Sequence, residues 1–100
     1  MIIKNKKNFS FDEKVILKIY EFIEIKKEPI YYLKLIESLK GEINKNVIDK
    51  SESKLIDLGM IKLDWNNVNG KWVRTYEISR CYLNYFKSLY ETSQKVGEKT

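Results

Sequence analysis

Residues 41–79 read GEINKNVIDKSESKLIDLGMIKLDWNNVNGKWVRTYEIS. Two glycines divide this stretch into a helix and a ribbon. Asn44 and Asn46 are each able to cap a helix, because an Asn side-chain oxygen accepts from first-turn amides. Val47, Ile48, Leu55, Ile56 and Leu58 then recur at helical spacing. The middle of that apolar face is thin, since Ser51 and Glu52 stand where a large side chain is expected. Gly59 supplies the positive φ that stops a helix cheaply. Beyond it Ile61, Leu63 and Trp65 alternate with Lys62 and Asp64, the two-residue period of a strand with one buried face. Asn66–Gly70 is rich in residues that tolerate left-handed turns. Trp72, Arg74, Tyr76 and Ile78 alternate through the return strand. A helix followed at once by a hairpin is therefore expected over this stretch.

Working outward, Ser10 and Glu13 have the spacing of a capping box, in which serine and glutamate satisfy each other's helix-terminal amides. Val15, Ile16, Ile19, Tyr20, Phe22 and Ile23 form the inner stripe of a first helix. That helix is expected to stop at Lys26–Glu28, because Pro29 disfavours helical backbone in the residue before it. Pro29 is expected to open a second helix, with Ile30, Leu33, Ile36 (or Leu35) and Leu39 inside. Gly41 is expected to end it in a left-handed cap. Residues 1–9 carry three lysines and no acid and suit a basic arm. After Ser79, the residues Tyr82, Leu83, Tyr85, Phe86, Leu89 and Tyr90 load a last helix heavily, and the pattern reaches Val96. A core this small leaves little room for so many aromatics, so part of the stripe is expected to face a second copy. The pattern makes Cys81 a buried, inert thiol beside that stripe.

Composition narrows the chemistry. The chain has 100 residues, 43% hydrophobic and 33% charged, with a net charge of +5. That is one globular domain with an anionic class of partner. Of the 19 basic residues only Arg74 and Arg80 are arginine, so phosphate contact by lysine outweighs two-pronged reading of guanine. There is no histidine and one cysteine, which excludes histidine acid–base chemistry, a histidine-rich metal site and an internal disulfide. No Gly-rich phosphate loop, Cys-x-x-Cys pair or cleft-forming carboxylate pair is found, so an enzyme is not expected, nor a cofactor or metal. No apolar run approaches the ~18 residues of a membrane span and the N-terminus lacks a signal-like stretch. The expectation is a cytoplasmic chain without membrane contact.

Helix, helix, short turn, helix ending Leu58-Gly59-Met60-Ile61, then a return strand Gly70-Lys71-Trp72-Val73-Arg74-Thr75-Tyr76-Glu77-Ile78-Ser79: this order resembles the winged-helix regulators of the MarR/ArsR/PadR kind, with a Lys/Ile bias of archaeal or viral type. Members have a Leu-Gly-Leu-Ile-type turn into the wing and an Arg-x-Tyr-x-Leu-Thr-type strand out of it. The resemblance covers residues 10–79; the last helix matches only in kind. It implies an α+β, mainly α fold: a winged helix-turn-helix of three helices and a two-stranded wing over 10–79, followed by a C-terminal dimerisation helix over 80–97. The implied recognition helix is Asn46–Leu58.

The candidate DNA-binding residues are Asn44, Lys45, Asn46, Asp49, Lys50, Ser53 and Lys54 on the recognition helix and its cap, and Lys62, Lys71 and Arg74 on the wing. Asn is able to read adenine by paired bonds, and Lys reaches phosphate. The candidate dimer interface is Tyr82, Tyr85, Phe86, Leu89 and Tyr90. Against tight DNA binding, five lysines face four acids over Lys40–Lys62. Two functions of different class follow: a homodimeric transcriptional regulator that binds double-stranded DNA sequence-specifically, or a winged helix that serves protein–protein interaction with little or no DNA binding. A weaker third reading is an effector pocket among Tyr31, Tyr32, Tyr82 and Tyr85.

Overall fold

A capping box opens the fold. The Ser10 amide donates to Glu13 Oε1 at 2.9 Å and the Glu13 amide to Ser10 Oγ at 3.1 Å. This starts α1, Phe11–Tyr20, which continues through a wider π-type turn, Glu21–Ile25. The structure, a computed structural model, describes residues 9–98. The basic arm lies, except for Phe9, outside the described residues.

The first helix stops where expected. Lys27 takes a left-handed φ of 58° and the Glu28 amide donates back to the Phe22 carbonyl at 2.8 Å. Pro29, however, does not open the second helix. Ile30 and Tyr31 are extended, and α2 runs only over Tyr32–Ser38. The extended pair lies against the wing: the Tyr76 amide donates to the Ile30 carbonyl at 2.9 Å, and Tyr31 bridges Thr75 antiparallel. A partner across the chain outweighs the proline's local preference. The late start also shifts the inner stripe. Ile30, Leu35 and Leu39 are buried, but Leu33 is 69% exposed. Gly41 then turns the chain with a φ of 92°.

Asn44 caps α3, Lys45–Asp57, by accepting from the Val47 amide at 3.0 Å. Its end is a Schellman motif. The Met60 amide donates to the Leu55 carbonyl at 3.0 Å and the Gly59 amide to the Ile56 carbonyl at 2.9 Å, with Gly59 at a φ of 74°. Met60 and Leu55 are both buried, the hydrophobic contact that accompanies this cap. Leu58, placed on the apolar face by its spacing, is exposed because it lies in the C-cap outside the helical repeat.

Strands β1, Ile61–Val68, and β2, Lys71–Ile78, form an antiparallel hairpin from Ile61↔Ile78 to Val68↔Lys71. Asn66–Val68 are strand, not turn. The loop is only Asn69-Gly70, both with positive φ (54° and 86°), the type I′ geometry that matches strand twist. The wing is thus longer than the clustering of asparagines suggests. Burial is confined to the base, where Ile61 and Tyr76 on one face and Thr75 on the other are covered, whereas Trp65 and Trp72 are exposed.

A 3₁₀ turn, Arg80–Tyr82, leads into α4, Leu83–Glu98. α1 packs on both α3 and α4. Phe86 is fully buried, Leu89 nearly so, and Tyr90 lies 5.2 Å from Tyr20, ring to ring. Much of the aromatic load of α4 is therefore consumed within the chain. Cys81 is exposed, contrary to the sequence pattern, because it falls in the 3₁₀ turn ahead of the packed helix. Among the described residues no helix is long and apolar enough to cross a membrane.

Candidate nucleic-acid interface

The thin middle of α3 is a set of long-range polar contacts. Ser51 is 3% exposed and its Oγ donates to Asp12 Oδ1 at 2.5 Å. Lys54 Nζ contacts Asp12 Oδ2 at 2.6 Å. The Lys54 ammonium and the Ser51 hydroxyl together hold the Asp12 carboxyl below its usual range. Glu52 accepts from the hydroxyl of Tyr76, which burial and this bond push well above the usual tyrosine range. One turn earlier, the Tyr32 hydroxyl donates to Asp49, whose carboxyl is lowered by that bond and by nearby Lys45. Ser51, Glu52 and Asp49 thus tie α3 to α1, to the wing and to α2 respectively.

These contacts sort the candidate residues. Lys54 is committed to Asp12, and Lys45 pairs with Asp49 at 3.5 Å. Asp49 faces Tyr32 and Lys45 within the domain. Asn44 spends its side-chain oxygen on the cap. Asn46, Lys50 and Ser53 are exposed on α3. Lys62, Lys71 and Arg74 are exposed on the wing. Among the described residues Lys50, Lys62, Lys71 and Arg74 form no ion pair. Arg74 instead lies over the Trp65 ring at 5.8 Å.

A concave surface joins the two elements. A groove of about 650 Å³ has Tyr31, Leu33, Asn44 and Lys45 among its walls. A second, of about 360 Å³, shares Tyr31 and Leu33 and reaches Val73 and Lys71 on the wing. The path from the start of α3 to the wing tip therefore runs over the start of α2. Tyr31, named above for an effector pocket, belongs to this surface, and so does Leu33, which was expected inside because its position depends on where α2 begins. Tyr82 and Tyr85 do not line the larger groove, so the four-tyrosine pocket does not form there.

Of the candidate dimer residues, Phe86 and Leu89 are core and unavailable to a partner as the chain stands. Tyr82 and Tyr90 are half-buried, and Tyr85 is 44% exposed.

No family model and no curated protein matches this sequence. Two solved structures share its fold. The circadian clock associated protein Pex from Anabaena superposes with a TM-score of 0.64 at 18% identity, covering 89% of this chain and 81% of that one. Pex from Synechococcus sp. strain PCC 7942 superposes with a TM-score of 0.58 at 18% identity, covering 87% and 81%. At this identity the likeness is one of fold. It supports the α+β, winged-helix-like arrangement built above: four helices among the described residues and a two-stranded antiparallel sheet.

Proposed function

We propose that this chain is a winged-helix regulator that binds double-stranded DNA, with α3 in the major groove and the wing on the flanking backbone. The observation that carries this reading is the set of exposed, unpaired cations, Lys50 on α3 and Lys62, Lys71 and Arg74 on the wing, on the two elements such a fold presents to DNA. Asn46 and Ser53 supply base-reading groups beside Lys50. Affiliation with the MarR/ArsR/PadR kind, cytoplasmic residence and a transcriptional role belong to the same proposal. So does a homodimer, its copies meeting through Tyr82 of the 3₁₀ turn and Tyr85 of α4. Two recognition helices about 34 Å apart would then meet successive major grooves. Selection from a random duplex pool, followed by mobility shift, tests the reading. Enrichment of a sequence is expected. Lys50→Glu with Lys71→Glu is expected to abolish the shift while leaving the circular dichroism spectrum unchanged. An unenriched pool with no shift at low salt sinks it.

A second reading is a protein-interaction module. Its specific support is the groove along α2, where Leu33 stands 69% exposed beside Ile36 and Ile43. Stable co-purified protein partners together with absent DNA affinity would favour it.

A further inference from the structure

The distal wing carries a feature that backbone contact with a duplex does not use. Trp65 is 60% exposed and Trp72 67% exposed, and they are the only two tryptophans in the chain. The register places Trp65 opposite Arg74 and Asn67 opposite Trp72. Residues directly opposite share a face, so Trp65, Asn67, Trp72 and Arg74 form one patch. The same face is covered at its base, where Ile61 and Tyr76 are buried. Beyond Leu63 it turns from core into open surface.

We infer that this patch is a stacking platform for unpaired bases of single-stranded DNA. Three observations converge on that occupant. Both indoles are open to solvent, and a base stacks on an aromatic plane whatever its identity. Charge is complementary to phosphate: beyond Leu63 the charged residue on this face is Arg74, since Asp64 and Lys71 alternate onto the other face. Asp64 accepts from the neighbouring Trp65 amide at 2.9 Å, while Arg74 sits over the Trp65 ring at 5.8 Å. Spacing then selects against a closed duplex. Diagonal positions on a hairpin lie about 7–8 Å apart, roughly twice the 3.4 Å rise of stacked bases. Two indoles so placed meet bases of a strand that has been stretched and unstacked, not adjacent steps of an intact helix. Trp72 takes one base on its free face, and the Trp65–Arg74 pair takes a neighbouring base and its phosphate.

The inference stands apart from the duplex reading, because the two tryptophans that carry it have no part in that reading and the ligand is different; Arg74 alone serves both. Since both tryptophans are on the wing, indole emission excited apart from that of the seven tyrosines reports this patch. Titration of the full chain with a single-stranded oligothymidylate of about twelve nucleotides, within the usual site sizes, is expected to quench the indole emission to saturation. A blunt, fully paired duplex of the same length is expected to quench less, since phosphate contact by Lys71 and Arg74 stacks no base on either indole. By fluorescence anisotropy of a labelled single strand, Trp72→Ala is expected to weaken binding about five- to hundredfold, the span of one lost base stack. Trp72→Phe is expected to retain most of the affinity. Lys50→Glu is expected to weaken duplex binding and spare the single strand. The exposure of both side chains keeps the variants folded, which far-ultraviolet circular dichroism checks. The inference falls if the single strand produces no quenching. It falls if Trp72→Ala binds as the parent does. It falls also if indole emission shifts with protein concentration alone, since a second copy then covers the patch.

Discussion

Ser51 shows how much one hydroxyl organises. A leucine-sized side chain is what the helical repeat asks for at this position, yet the site is 3% exposed and polar. Its Oγ donates to Asp12, and Lys54 completes the grip on the same carboxylate. Ser51→Ala removes a bond to a charged acceptor and is expected to cost about 1.5–3 kcal/mol. For a domain of this size each kcal/mol lowers Tm by roughly 4–8 °C, which thermal unfolding measures directly. The acid dependence has a definite sign. The folded Asp12 carboxyl titrates below the usual aspartate value, held there by Lys54 and Ser51, so its contribution is present above that usual value and is lost as pH falls through the lower, folded one. The Tm gap between the parent and Asp12→Asn is therefore expected to be full near neutral pH and to close below about pH 4. A gap that stays constant down to the acid limit of folding would show that the Asp12 charge contributes nothing.

At the scale of elements, local chemistry was legible and long-range pairing was not. The Ser10–Glu13 box, the Asn44 cap and the stops at Gly41 and Gly59 each follow from residues within one turn of each other. The structure has the box, the cap and the Gly59 stop; Gly41 is left-handed but lies two residues past Leu39, where α2 is already capped. The extended Ile30–Tyr31 segment escaped notice because its partner, Thr75, is far along the chain. The carboxylate contacts of α3 escaped for the same reason: Ser51 and Asp12 are 39 residues apart and Tyr76 and Glu52 are 24 apart. Alternation in the wing told which residues share a face but not where cover ends, so Trp65 and Trp72 were indistinguishable from core. The same gap affects α4. Its pattern marks Phe86 and Leu89 as apolar without saying whether this chain or a second copy buries them, and they lie in this chain's core. Phe86→Ala is accordingly expected to cost about 3–5 kcal/mol through a cavity. Its Tm decrement should be the same at dilute and concentrated protein, because mass action enters only where association is linked to folding. Tyr85→Glu should show the reverse. It is expected to leave the monomer's stability within about 0.5 kcal/mol, as exposed substitutions do, and to shift the sedimentation of any dimer toward monomer.

The described residues measure 50 × 27 × 26 Å, with a radius of gyration of 14.1 Å. That exceeds the ~13 Å of a compact chain of this length and gives the wing and α3 a long surface to lay along a partner. The number of lysines on α3 overstates what this surface offers, because Lys45 and Lys54 are paired internally with Asp49 and Asp12. The cations left for phosphate on the interface are Lys50, Lys62, Lys71 and Arg74. Each phosphate neutralised on duplex DNA contributes about −0.9 to the slope of log K against log salt. One chain using all four is therefore expected to give a slope of about −3.6, and a two-fold dimer about −7. Slope and sedimentation together separate the two assemblies, which affinity alone does not. Single replacements refine the count. Lys50→Ala and Lys71→Ala should each flatten the slope by about 1 per bound chain. Lys54→Ala should leave the slope nearly unchanged and lower Tm, since its ammonium serves Asp12. If Lys54→Ala flattens the slope as much as Lys50→Ala, the ion pair to Asp12 opens on binding, and the internal clamp and the DNA compete for one lysine.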